Sequence, residues 1–149
     1  MSGNSKFVYV TYIRTTPEKL WEAFTTPDLN RLYWFGAAQD SDFKKGSPWR
    51  IVFQDGRVAD SGEVVESDPP RKLVLSWRNE FMPEMKAEGY SRATFTLEPS
   101  GNVVKFTVVH EIERQDSKFI GAVSNGWPHI LSGLKSLLET GAPLEAAES

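Results

Sequence analysis

The sequence predicts an α+β fold: a curved antiparallel sheet of about six or seven strands wrapped on a long C-terminal helix, with two short helices after strand 1. Three observations carry that expectation. Two Thr-Pro helix starts, Thr16-Pro17 and Thr26-Pro27, follow directly on the first strand-like segment. From Trp49 to Glu111 apolar residues recur at every second position between turn-forming pairs. From Phe119 to Leu138 the spacing lengthens to that of one helix face.

Phe7 to Ile13 is rich in β-branched and aromatic residues and reads as a strand. Thr16 can cap the helix that follows, with Pro17 at its first position; alternatively Thr15 and Glu18 form a capping box. Leu20, Trp21 and Phe24 give that helix its apolar side, and Thr26-Pro27-Asp28 opens a second one through Leu29, Leu32 and Tyr33. Trp49, Ile51 and Phe53 then alternate with Arg50 and Val52 up to an Asp55-Gly56 hairpin signal. Ser61 to Ser67 forms the next strand, ended by Asp68-Pro69-Pro70. Leu73, Leu75 and Trp77 alternate in the next, then Ala93, Phe95 and Leu97, then Val104, Phe106, Val108 and His110. These are half-buried antiparallel strands with short turns. Residues 79–89 show no period and read as a longer loop.

The last element is the long helix, capped by Asp116 or Ser117 and closed by Gly141 with Pro143 beyond. Its stripe includes Trp127, Ile130, Leu131 and Leu134, and Pro128 predicts a kink or a restart inside it. Residues 6–141 read as a single domain and 142–149 as a frayed tail.

Composition narrows the function classes. With 17 basic against 20 acidic residues and a net charge of -3, the chain lacks the electrostatic footprint of a nucleic-acid binder. The absence of cysteine removes disulfides, thiolate chemistry and Cys-ligated metal. It fits a cytoplasmic protein, as does an N-terminus without a signal-peptide apolar stretch. No apolar run approaches the roughly 18 residues that would insert in a membrane. The aromatic share is high, 9 Phe, 5 Trp and 4 Tyr in 149 residues, more than packing of a small domain requires. A single helix, roughly 10 Å wide, cannot fill the concave face of such a sheet, so the large inward residues must pack into the remainder or line a cavity.

Three segments make the chain similar to a known family. They are Thr16-Pro-Glu-Lys-Leu-Trp-Glu-Ala-Phe24 with Thr26-Pro-Asp28, the run from Asp60 to Leu73 with Ser76-Trp77, and Gly126-Trp-Pro128 with the leucines after it. With them the chain resembles the START-like (SRPBCC), helix-grip superfamily of the birch-pollen-allergen fold. Within it, the chain is similar to the homologues of the activator of the heat-shock-protein-90 ATPase, over about residues 6–141. The resemblance implies an internal cavity for small apolar or amphipathic molecules. The quoted motifs shape the fold and carry no catalytic signature. The family's chaperone activator has a second chaperone-binding domain for which this sequence has no room, so the resemblance implies fold before chaperone activation.

The expected ligand wall between sheet and helix is Trp34, Trp49, Phe53, Trp77, Phe95, Phe106, Trp127 and Leu131, with His110 as a polar anchor. Residues 34–36 and the 79–89 loop, with Met82 and Met85, form the expected gate. His110 is the one candidate for proton transfer, in a cyclase- or hydrolase-type reaction; the plainer reading is a rim histidine satisfied by backbone or water. His110-Glu111-Ile112-Glu113-Arg114 begins like a zinc-protease motif but ends on Arg and lies on a strand end, so no metal site is expected. Neither is a cofactor. A stress-related protein-interaction role, with a protein partner or a homodimer, is the remaining alternative, and it requires an exposed apolar patch.

Overall fold

The computed structural model describes residues 4–144. Strand β1 (Ser5–Ile13) is followed by α1 (Pro17–Thr25) and α2 (Pro27–Tyr33), then by β2 (Ala38–Ser41), β3 (Pro48–Val52), β4 (Val58–Asp68) and β5 (Lys72–Asn79). A short α3 (Pro83–Lys86) precedes β6 (Ser91–Ser100), β7 (Val103–Ile112) and the long α4 (Lys118–Thr140). The strands form one seven-stranded sheet in the order β1-β7-β6-β5-β4-β3-β2, with every neighbouring pair antiparallel. This is the helix-grip arrangement.

Local chemistry explains the boundaries. The Thr16 side chain accepts from the Lys19 N–H at 3.2 Å with Pro17 in the first turn, so the simple cap is used at α1. Ser117 caps α4 by accepting from the Ile120 N–H at 3.0 Å, while Asp116 takes a left-handed φ of 52° before it. Gly141 closes α4 at φ 85°, its N–H donating to the Leu137 carbonyl at 2.9 Å. Two expectations change. Helix α4 does not restart at Pro128 but runs through it without a break. The 79–89 segment contains the one-turn helix α3, started by Pro83. Strand β2 also escaped the periodicity: four residues are too few to show one, and its pairing with β3 creates it. Of the expected tail, residues 145–149 lie outside the described residues.

The core lies between the inner sheet face and α4. Phe95, Val104, Phe106, Val108, Leu73 and Leu75 meet Phe119, Trp127, Leu131 and Leu134, all buried. A buried amide network secures α1 and α2 to β2 and β3. Asn30 donates to the Phe24 carbonyl at 3.0 Å and accepts from the Gln39 N–H at 3.0 Å, and the Trp49 indole donates to Gln39 Oε1 at 2.9 Å. Phe24 fills the α1 end of the concave face, its ring 4.8 Å from Phe95 and 5.5 Å from Phe106. The other end of the face bends through register shifts at Ile51/Val52 and Val64/Glu66. There Gly62 sits opposite Trp77, and an added Cβ would stand 1.8 Å from the Ser76 carbonyl oxygen.

Candidate functional site

The bend at β4 and β5 leaves a pocket between those strands, the α3 loop and the middle of α4. Its volume is about 210 Å³. Phe119, Val123, Trp127 and Ile130 recur on one face of α4 and form one wall. Trp77 of β5 and Trp34, at the end of α2, form another. Asp60 and Asn79 are register partners on β4 and β5 and close the polar end. Phe35 and Phe81 frame the opening, 67% and 50% exposed, and Met85 of α3 lies beside them. Phe35 holds a left-handed φ of 51° and stacks on His129 at 4.9 Å, while Glu88 fastens the α3 segment to the start of α4 through Ser117 Oγ at 2.5 Å and the Lys118 N–H at 2.8 Å.

The residues expected to form the wall divide into three groups. Trp34, Trp77 and Trp127 line the pocket, with ring centroids 5.4–6.3 Å apart. Trp49, Phe95, Phe106, Leu131 and His110 point inward as their parity requires but are closed over by neighbours, each fully buried behind the pocket. Phe53 lies beyond the end of β3, past the register shift at Ile51/Val52, and does not line the pocket. Its ring meets Phe81 at 5.4 Å and the Arg57 guanidinium at 5.0 Å, so it supports Phe81 at the rim. Of the expected gate, Trp34, Phe35, Asn79, Phe81 and Met85 reach the pocket lining, whereas Met82 does not.

His110 has partners on both nitrogens. The Trp127 indole, which can only donate, places its N–H 3.1 Å from Nδ1. That assignment leaves the proton on Nε2, which donates to Ser91 Oγ at 2.9 Å, and the Ser91 hydroxyl in turn donates to the Trp77 carbonyl at 2.8 Å. Ser91 lies across the sheet from Trp77, and His110 across from Ala93, two residues further along the same face. Burial pushes the His110 pKa down to about 3. The imidazole is neutral, its lone pair is occupied, and it does not line the pocket. What it does is hold the Trp127 indole in place.

Asp60 heads one of the family-resembling segments without any site signal of its own, yet among the described residues lining the pocket it supplies the one carboxylate. Its Oδ1 and the Trp77 Nε1 are both buried and without a protein partner among the described residues. The indole faces the carboxyl, but the pair closes no hydrogen bond. Burial pushes the Asp60 pKa up to about 7, with the Trp77 N–H opposing the rise and the Glu80 charge adding to it. Glu80 is itself anchored by Ser61 Oγ at 2.6 Å, Arg78 Nε at 2.7 Å and Lys86 Nζ at 3.2 Å, and the Arg78 bond holds its carboxyl well below the usual carboxylate range. Among the described residues no three His, Asp or Glu side chains converge to hold a metal ion, and no helix is long and apolar enough to cross a membrane.

A family model described as "Activator of Hsp90 ATPase homolog 1-like protein" matches residues 14–139. Protein MLL2253 from Mesorhizobium loti superposes with a TM-score of 0.76 at 27% identity, over 90% of this chain and 96% of that one. The Aha1 dimer from Colwellia psychrerythraea gives 0.71 at 20% identity, over 92% and 98%. PFC0360w, an HSP90 activator from Plasmodium falciparum, gives 0.72 at 21% identity, over 89% and 95%. The latter two likenesses establish shared fold. No curated protein sequence matches significantly.

Proposed function

This chain belongs to the activator of Hsp90 ATPase homolog 1-like family, and from that premise we propose that it binds a small apolar or amphipathic molecule in the pocket between β4, β5 and α4. The observation that carries the reading is the aromatic-walled cavity of about 210 Å³ in an otherwise closely packed core. Protein interiors seldom leave such a space unfilled, and an apolar wall with a few convergent polar groups is the usual form of a ligand site. Titration with a panel of monocyclic aromatics, followed by tryptophan fluorescence and thermal melting, tests it. A ligand at 100 times its Kd adds about 2.7 kcal/mol and raises Tm by roughly 5–10 °C for a domain of this size. A panel that leaves both signals unmoved defeats the reading.

A second reading rests on β1. Val8, Val10 and Tyr12 are 51%, 43% and 51% exposed on the outer face of an edge strand, an invitation to pairing with another chain. Since one structural neighbour is described as a dimer, a second copy is the occupant we propose there. Sedimentation velocity of the protein and of its Val10→Lys variant tests it: a monomer in both removes the reading.

A further inference from the structure

Three polar side chains meet at the polar end of the pocket, and they differ in what they leave open to a ligand. Asp60 Oδ1 and Trp77 Nε1 face one another and are sealed in. Asn79 is different. It shares the inner face of β5 with Leu73, Leu75 and Trp77, is 6% exposed and lines the pocket. Its Oδ1 accepts from the Phe81 N–H at 3.2 Å and the Met82 N–H at 2.8 Å, the two residues that lead into α3. Two backbone donors on one atom fix which end of the amide is the oxygen. Nδ2 is thereby turned away from that loop. Among the described residues it meets no acceptor, and unlike the Asp60–Trp77 pair it is not sealed in.

A carboxamide NH2 can only donate. A wholly apolar occupant would strip it of water and leave it unpaired, which weakens binding. An occupant that carries an acceptor takes the place of that water. Charge narrows the choice of acceptor. Asp60 is the register partner of Asn79 on β4, and side chains so placed begin about 4.5–5.5 Å apart. The Glu80 carboxylate adds to the negative potential there, its own charge shared with Arg78 and Lys86. A carboxylate or phosphate on the ligand would meet like charge at short range. A neutral carbonyl would not.

Size and shape restrict the rest of the molecule. A cavity of 150 Å³ lined by apolar side chains takes benzene, so about 210 Å³ accommodates one ring with a short substituent. Trp34, Trp77 and Trp127 present faces and edges in tilted arrangements, with 68° between the Trp34 and Trp127 planes, which suits a flat ring between them. We propose that Asn79 Nδ2 is the donor that reads the ligand, and that the ligand is a small uncharged aromatic carbonyl compound whose oxygen accepts from it. This rests on the pocket-binding reading above and specifies its ligand class.

The test compares acetophenone with ethylbenzene, which keeps the ring and chain length without the acceptor, and with benzoate, which adds a charge. Each is titrated calorimetrically into the full chain at pH 8, where Asp60 is ionised. Acetophenone should bind at least tenfold more tightly than either. Asn79→Asp keeps the oxygen that serves Phe81 and Met82 and replaces the donor with a second oxygen. It should bring acetophenone within about threefold of ethylbenzene while ethylbenzene binding persists. The carbonyl stretch of bound acetophenone should also lie at lower frequency in the wild type than in the variant, which a merely loosened pocket would not produce. Equal binding of acetophenone and ethylbenzene to the wild type would overturn acceptor recognition and leave pocket binding standing. Benzoate binding as tightly as acetophenone would overturn the uncharged class. Failure of all three to bind would defeat the pocket-binding reading and this one with it. Should Asn79→Asp not fold, Asn79→Ser takes its place, and the wild-type comparison decides alone if neither folds.

Discussion

Replacing Asp60 by Asn should make the protein more stable at pH 8, and the gain should vanish at acid pH. Asn matches the shape of the protonated carboxyl and cannot ionise, so the variant isolates the cost of holding a charge in the pocket. In the native state burial raises the Asp60 pKa to about 7 from its ordinary 3.8. A raised acid contributes stability that is fully present below the unfolded pKa and lost as pH rises through the folded pKa. The window is therefore about pH 4 to 7. Three units at 1.36 kcal/mol each give a ceiling of about 4 kcal/mol. Wild-type stability alone would not reveal this, because His110 acts in the opposite sense. Its pKa is depressed to about 3, so its contribution is present above its unfolded pKa of 6.5 and lost as pH falls toward the folded value. The difference between wild type and Asp60→Asn cancels that term. Urea denaturation of both proteins at pH 4, 6 and 8 reads it. The variant should lead by a few kcal/mol at pH 8 and by nothing at pH 4, with unchanged m values. A difference that does not vary with pH, or a variant less stable at pH 8, would refute the idea that Asp60 is a buried, unpaired carboxylate.

Three other outcomes follow from the same geometry. His110→Leu strands the Trp127 indole N–H and should cost about 1–3 kcal/mol by denaturation; it should also weaken binding of any pocket ligand, because Trp127 loses its anchor. Gly62→Ala puts a methyl group 1.8 Å from the Ser76 carbonyl oxygen, so β4 must leave β5; a loss above about 3 kcal/mol or failure to fold is expected, and a wild-type Tm would contradict it. Gly126→Leu meets nothing within 4 Å of its Cβ and projects from a helix that lines the pocket. It should raise stability by about 1 kcal/mol through helix propensity while abolishing ligand-induced shifts in Tm.

The fold was largely legible because its signals are local. Thr16-Pro17, the alternation through β5 to β7 and the stripe on α4 each follow from one residue's relation to the next few. The pocket was legible only as an inward face. Parity places Trp49, Phe95 and Phe106 there correctly, but which part of the face stays open depends on Phe24, delivered by α1 from far along the chain. Asp60 was hidden for a related reason. The register shift between Val64 and Glu66 breaks the alternation of β4, so the inward set of Asp60, Gly62 and Val64 does not show as a pattern. A glycine two residues from an acidic residue, opposite a tryptophan, was the one available hint. The partners of His110 were likewise out of sequence range: Trp127 comes from α4 and Ser91 from β6.

The chain of donors from Trp127 through His110 and Ser91 to the Trp77 carbonyl joins α4 to three strands in series. The Trp127 indole is thus fixed to the sheet before any molecule arrives, and little of its rotamer entropy remains to be lost on association. Selectivity then comes from a rigid, preorganised floor, and adaptation is left to Phe35 and Phe81 at the mouth. Such a division favours molecules that agree at the end that enters first and differ at the end that stays outside.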